Sequence, residues 1–407
     1  MTTSKSYEIS KQEVWEAYQD VKANDGAAGV DGESIAEFER KLKGNLYKLW
    51  NRMSSGSYFP PAVRQVEIPK SDGRGVRVLG IPTVTDRIAQ TVVKRYVEPA
   101  LELEFHADSY AYRPGRSAVQ AVGVCRDRCW KSDWVIDLDI RSFFDTVEHT
   151  RMMKALRCHT NLPWIHLYIE RWLVAPLEQR DGTRIERKRG TPQGSVISPL
   201  LGNLYLHYAF DKWMRWQYPS VRFERYADDI VVHCESKEQA EQVLVRITER
   251  FAECELEVNE EKTKIVYCKD DRRRGRHEHE RFDFLGYTFG PRQCKGRGRS
   301  AYFVGFNPAI SDAAKLKISR CIRRWHLNRR VGSTLAGIAH AINAEIRGWY
   351  NYYGCYFPSE LYPLLQRINE HLARWAQRKY KRLQGYSKRA WRFLGGVATR
   401  EPNLFAH

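Results

Sequence analysis

The 407 residues carry 67 Lys/Arg against 49 Asp/Glu, a formal net charge of +18, with 43% hydrophobic and 29% charged residues. No run approaches the roughly 18 apolar residues that a bilayer-crossing helix needs, and the opening MTTSKSYEISKQEVW lacks the apolar stretch of a secretory signal. Nine cysteines, an odd number without a CxxC pair, argue against a disulfide framework or a structural zinc site and fit packed thiols in a reducing cytoplasm.

Residues 8–56 read as a helical N-terminal extension. VWEAYQDVK and SIAEFERKLKGNLYKLWNRM have apolar residues at three-to-four spacing, and NDGAAGVDG breaks the pattern between them. VRQVEIPKSDGRGVRVLGIP alternates around SDGRG, a hairpin signal. TDRIAQTVVKRYVEPALELEF follows as a helix capped at Thr85 or Asp86. Cys125 and Cys129 are spaced to share a helix face. WVIDLDIRSFFDTVEH is a strand running into a helix start, with Asp145 and Glu148 at capping-box spacing. GTPQGSVISPLLGNLYLHYAFDKWMRW opens on Gly-Thr-Pro and continues as a long apolar helix.

RFERYADDIVVHC is an apolar run interrupted by turn-prone acids, hence a hairpin with carboxylates at its tip. KEQAEQVLVRITERFAECEL is an amphipathic helix and KTKIVYC a strand. KDDRRRGRHEHER reads as an exposed charged loop whose His277 and His279 lack partner ligands, and FDFLGYTFG and SAYFVGFNP are the last β-runs. From residue 311 the pattern is helical: Ala314, Ile318, Cys321, Ile322 and Trp325 form an apolar stripe, with Lys317, Arg320 and Arg324 largely off it. Residues 312–400 hold 18 Lys/Arg against 4 Asp/Glu, most of the chain's excess charge, which points to a polyanionic partner. The expected divisions are 1–57, 58–304 and 305–407, the last boundary marked by the change in period and charge.

Asp228 and Asp229 gain meaning from a third acid. In VIDLDIRSFF, alternation puts Asp137 and Asp139 on one strand face near its C-terminal end. Two strands ending together with such carboxylates would suit hard divalent cations, which prefer oxygen ligands.

The ordered segments NDGAAGVDG, KSDGRGVRVLGIPT, SYAYRPGRSA, VIDLDIRSFFDTVEH, GTPQGSVISPLLGNLYLH, RFERYADDIVV, ELEVNEEKTKI, FDFLGYTF and IRGWYNYY together resemble the reverse transcriptases encoded by bacterial group II introns. The resemblance implies an α+β right-hand polymerase, with fingers, a palm carrying an antiparallel sheet, and a helical basic thumb with maturase function. It implies catalytic, metal-binding Asp139, Asp228 and Asp229, with two Mg²⁺ ions for which Mn²⁺ can substitute; Asp137 drops out. Lys70, Arg77, Phe144, Gln193 and Lys262 match nucleotide-contacting positions, Phe144 as the gate against a ribose 2′-hydroxyl and Phe143 as core. Arg113, Arg116, Arg320, Arg324, Trp349 and Tyr350 are expected to touch template or primer. The implied partners are an RNA template, a DNA primer, dNTPs and group II intron RNA, in a bacterial cytoplasm, as monomer or homodimer.

Val78 and Glu260 stand where the family commonly has proline. No Cys/His-rich segment follows the thumb, which resembles the shorter enzymes without an endonuclease domain, and equally the free-standing relatives serving repair or phage defence. A non-catalytic splicing factor is the contrasting reading, disfavoured by the intact acids. No VTG-type thumb block of retron enzymes is present, and QGSVISP ends in Ser-Pro where diversity-generating enzymes carry Ser-Gln.

Overall fold

The computed structural model describes residues 6–69, 75–295 and 302–407. The N-terminal segment folds as α1 (Lys11–Asn24), α2 (Ile35–Glu39) and α3 (Leu42–Ser54). Ser34 and Glu37 close a reciprocal capping box on α2, and the second expected helix breaks into two where α2 ends at Arg40. The predicted hairpin is β1 (Val63–Pro69) against β2 (Val76–Ile81), antiparallel with Gln65 opposite Gly80. Its tip and Lys70 lie outside the described residues.

Helix α4 (Val84–Glu104) is capped by Thr83, whose side chain accepts from Asp86 N. The expected cap at Thr85 or Asp86 is thus two or three residues late. A cap needs the extended backbone that Thr83 has, and Asp86 is already inside the helix. Then come α5 (Ala118–Cys129), with Cys125 and Cys129 buried and not in a disulfide, and β3 (Trp134–Asp139).

A single turn, α6 (Phe143–Thr146), precedes α7 (His149–Arg157), α8 (Pro163–Leu173) and the short strands β4 (Leu177–Glu178) and β5 (Arg184–Ile185). Glu148 alone caps α7, accepting from Thr150 N and Arg151 N, so Asp145 takes no part in a capping box. The apolar helix α9 starts only at Ser198 (Ser198–Leu206); TPQGSVI is an irregular loop ahead of it. A π-helical turn, His207–Asp211, joins α9 to α10 (Lys212–Gln217).

The acidic hairpin is β6 (Arg222–Tyr226) and β7 (Asp229–Cys234), followed by α11 (Lys237–Glu253), β8 (Lys264–Tyr267), β9 (Phe282–Phe284), β10 (Tyr287–Lys295) and β11 (Tyr302–Ile310). The helices α12 (Asp312–Arg324), α13 (Leu335–Tyr353), α14 (Tyr362–Lys379) and α15 (Ser387–Arg400) complete the chain. The sheets run β2-β1-β4-β5, β6-β7-β3-β8 and β11-β10-β9. None of the described helices is long and apolar enough to cross a membrane.

The chain divides into two units, one of Met1–Ser117, Leu138–Val232 and Glu238–Lys264, the other of Ala118–Asp137, His233–Lys237 and Ile265–His407. In the first, α4 is buried along Ile88, Val92, Val93 and Leu101. In the second, the stripe Ile318–Ile322 packs with Ile338, Ile342, Leu364 and Ile368 in an apolar core. Residue 305, expected as a boundary, falls inside β11, with Gly305 paired to Arg292 of β10. The KDDRRRGRHEHER loop is exposed over most of its length, as expected, but is tied down at two points. Arg273 is buried and donates to Asp270 and to the Cys129 and Ser132 carbonyls, and the His277 ring meets Trp134 and Tyr267.

Candidate active site

The β6–β7 turn consists of Ala227 and Asp228 alone. Two-residue hairpin turns favour Asn-Gly or Gly-containing pairs, because they require φ > 0. Ala227 has φ 57, a strained value for a residue with a Cβ. What holds it is Arg225, fully buried on β6. Its guanidinium clasps both oxygens of Asp211 (Nε–Oδ1 2.7 Å, Nη2–Oδ2 2.6 Å), and Nη1 donates to Asn203 Oδ1 (3.0 Å) and to the Ala227 carbonyl (3.2 Å). A fully buried bidentate ion pair thereby anchors the turn that carries Asp228. Neither Arg225 nor its partner Asp211 stands out in the sequence, because the pairing joins two elements that only the fold brings together.

Asp139 ends β3, where Asp137 and Asp139 are the two half-buried residues of an otherwise buried strand, as the alternation predicts. Its carboxylate accepts from Asn259 Nδ2 (2.9 Å) and pairs with Lys262 Nζ (3.3 Å), while its amide donates to Thr263 Oγ1. Burial pushes the Asp228 carboxyl above the usual carboxylate range; Asp139 pushes it the same way, and Arg77 and Lys262 pull it back. A carboxylate ending β3, another in the β6–β7 turn and two cations therefore share one electrostatic site. Arg77 is exposed on β2, and Asp229 is exposed at the first position of β7. Tyr112 also belongs here: it has φ 57, its ring is 54% exposed, and Asp228 and Arg77 act on its hydroxyl. Only its unusual backbone singles it out, a feature with no signature in the sequence.

The Phe143 and Phe144 rings differ in burial. Phe143 is buried and Phe144 half-buried, the rings meeting edge to face at 5.1 Å. Gly202 lets both rings close on α9: a Cβ there would stand 3.1 Å from each. Ser142, with φ 47, turns the chain into this pair.

Gln193 lies in the loop before α9 rather than at a helix start. Its carbonyl accepts from Gly80 N (2.7 Å), and Gly194, at φ 107, sits so close that a Cβ would meet Gly80 O at 2.9 Å. The loop is held from behind by Gln90, whose Oε1 accepts from Ser195 Oγ (2.5 Å) and Val196 N (2.9 Å). Gln90 in turn donates to Asp86, which also accepts from Tyr58 Oη and Trp172 Nε1 (2.7 Å each). Burial raises the Asp86 carboxyl to about 6, against the pull of these three donors.

Arg113, expected on template or primer, is instead turned inward. It is 8% exposed, pairs with Glu102 (3.0 Å) and donates to the His106 and Ser109 carbonyls (2.7 Å each). All three guanidinium nitrogens are thus engaged, Nε and Nη2 by Glu102 of α4 and Nη1 by the two loop carbonyls. Arg116 remains exposed beside the Tyr110 ring. In the second unit Arg320 and Arg324 are exposed on α12 and Tyr350 on α13, whereas Trp349 is half-buried and stacked on Trp325 (5.3 Å, 16°).

Residues 68–289 match the family described as reverse transcriptase (RNA-dependent DNA polymerase), and residues 315–394 the group II intron maturase-specific domain. Protein YkfC of Escherichia coli K12 is 34% identical over 280 residues, covering 60% of this chain and 73% of that protein. The group II intron-encoded protein LtrA of Lactococcus lactis subsp. cremoris is 29% identical over 261 residues, 63% of this chain but 41% of the relative. A solved telomerase from Candida albicans superposes with TM-score 0.49 and 10% identity, over 90% of this chain and 67% of that one, too remote to add to the assignment. On the two family matches and the relatives they accompany, the chain belongs to the reverse transcriptases of group II intron type, RNA-directed DNA polymerases that carry a maturase domain.

Proposed function

We propose that Asp139 and Asp228 hold two Mg²⁺ ions, with Asp229 assisting, and that the site adds a dNTP to a DNA primer 3′-hydroxyl on an RNA template. The observation that carries this reading is the convergence of Asp139, Asp228, Lys262 and Arg77 from four segments of the chain on one site. The donor set fits hard divalent ions: the acids offer oxygen, and the desolvated Asp228 carboxylate gains most from a neighbouring cation. Such ions, when bound, favour ionisation of the primer hydroxyl and balance charge on the departing pyrophosphate.

The chain's own groups do the rest. Asn259 and Lys262 orient the Asp139 carboxylate. Arg77 is free to fork onto phosphate oxygens of the triphosphate. Lys70, which follows β1 in the sequence, is assigned to the same phosphates on the family resemblance. The half-buried Phe144 ring forms a wall against the sugar 2′-position, and Gln193, pinned by its backbone to Gly80, meets the nucleotide. Arg116, Arg320, Arg324 and Tyr350 face template–primer or intron RNA, with Trp349 contributing a ring edge. Nine cysteines without a disulfide among the described residues suit a reducing cytoplasm.

Asp228→Ala should abolish primer extension on RNA with dNTPs while leaving RNA binding near normal. Undiminished extension would sink the site assignment. Phe144→Ala should raise ribonucleotide incorporation relative to dNTPs, and an unchanged ratio would return Phe144 to the core.

A further inference from the structure

The π-helical turn and α10 present a surface that shares no residue with the polymerase site. Tyr208, Lys212, Trp213, Arg215, Trp216 and Arg250 line a concave, solvent-open cleft of about 660 Å³. The lining alternates three aromatic rings with three cations and contains no acid. Trp216 is 82% exposed and shares this lining with the Tyr208 and Trp213 rings, and an exposed apolar patch rimmed by polar groups marks a binding site.

The chain builds this face deliberately. Leu200, Leu201, Leu204 and Leu206 leave α9 buried on nearly every side. The wider winding of His207–Asp211 then shifts the phase, so that Lys212, Arg215 and Trp216 emerge to solvent. From inside, Asp211 ties the turn to Arg225 with no exposure of either side chain. From outside, Arg250 of α11 donates to the Tyr208 and Ala209 carbonyls. The scaffold under the cleft is therefore fixed at both ends.

On that scaffold the ligand-facing groups are left with capacity. Lys212 Nζ stands 5.2 Å over the Tyr208 ring. Trp213 is half-buried and meets Tyr218 in a T-shaped contact at 5.7 Å. Arg250 is shared with Glu253 (3.0 Å). Arg215 makes no ion pair or side-chain hydrogen bond among the described residues.

We propose that this cleft is a second docking site, for single-stranded nucleic acid, in which unpaired bases stack on Trp216 and Trp213 while Lys212 and Arg215 meet the phosphates. Stacking is tolerant of sequence because every base has a π-face, and interleaved cations follow the backbone. A duplex offers its base faces only at its ends, so the cleft selects single strands. An acidic peptide would satisfy the cations but leave three rings without a purpose.

The test reads binding, not catalysis, so its outcome is independent of the polymerase assignment. The full chain is titrated with a short oligouridylate and with a fully paired RNA–DNA duplex. Trp216→Ala should weaken the oligouridylate roughly tenfold, the loss expected for one stacked base, and leave duplex affinity unchanged. Arg215→Gln, at a side chain that supports no other group, should make the salt dependence of oligouridylate binding shallower by about 0.7 in log–log slope. A 4-thiouridine in the oligomer should cross-link within residues 212–217. Equal loss on duplex, or no loss on oligouridylate from either variant, overturns the proposal; the second outcome is also what a protein-binding patch would give. A deoxyuridylate arm tells whether the strand preferred is RNA or DNA.

Discussion

The region around the β6–β7 turn buries charge, and the helical region from α12 to α15 does not. Arg225 and Asp211 are fully buried and Asp86 is 1% exposed, whereas the core under α12–α15 holds no Asp, Glu, Lys or Arg among the described residues. Both regions fold around apolar residues, yet they use their ionic groups for opposite ends. A buried charge is expensive, and one whose partner is removed destabilises strongly, so it fixes its surroundings in one arrangement. A surface cation adds little to stability and stays available to a polyanion. In the proposed function the first kind of group holds the strained turn that carries Asp228, and the second is left to grip nucleic acid.

The comparison breaks most visibly at the buried pair. Asp211→Ala leaves Arg225 unpaired and should cost about 3–5 kcal/mol in urea denaturation. The double variant Asp211→Leu with Arg225→Met should recover most of that stability, because well-packed apolar replacements often match a buried ion pair. It still removes the donor to the Ala227 carbonyl, so primer extension should remain low. A double variant that is both stable and fully active would show that the pair does not position the turn.

The next largest effect lies at Asp86. Its folded carboxyl is raised to about 6 from an ordinary 3.8. The folded state therefore binds its proton more tightly than the unfolded chain. That contribution is complete below the unfolded value and is lost as pH rises through about 6. Asp86→Asn removes this dependence. The stability of the variant minus that of the parent should rise between pH 4 and pH 7 by roughly 3 kcal/mol, above a constant loss from the altered hydrogen bonds to Gln90. A pH-independent difference would mean that the carboxyl titrates normally.

The smallest change in stability belongs to the helical region. Arg320→Ala and Arg324→Ala should each shift unfolding by no more than about 0.5 kcal/mol. Each should also make the log–log salt dependence of template–primer affinity shallower by about 1 if its side chain neutralises a phosphate. An unchanged slope would leave these cations as solvated surface.

Much of this was legible in the sequence for definite reasons. Alternation in WVIDLD and RFERYADDIVVHC follows from the period of a strand, so β3, β6 and β7, the shared face of Asp137 and Asp139, and the acid at a hairpin tip could be read locally. The amphipathic stripe of α12 could be read from Ile318 and Ile322 for the same reason. Helix starts were less legible: Thr83 and Glu148 cap α4 and α7 where Thr85 and the Asp145–Glu148 pair were expected, because a cap is decided by one residue's backbone and not by a repeat. Arg113 lay beyond local reading altogether, since an arginine in YRPGRSA looks the same whether it meets phosphate or Glu102.

The sequence by itself determined which residue types could do chemistry and in what order they lie, because motif, period and charge are local properties of the chain. Only the tertiary structure decided which of them act together. Asp139 and Asp228 are 89 positions apart in the chain, and the strained Ala227 turn depends on Asp211 reaching Arg225 from another element. No repeat in the sequence carries that information; it exists only once the strands and the π-helical turn have packed and desolvation has made each pairing necessary.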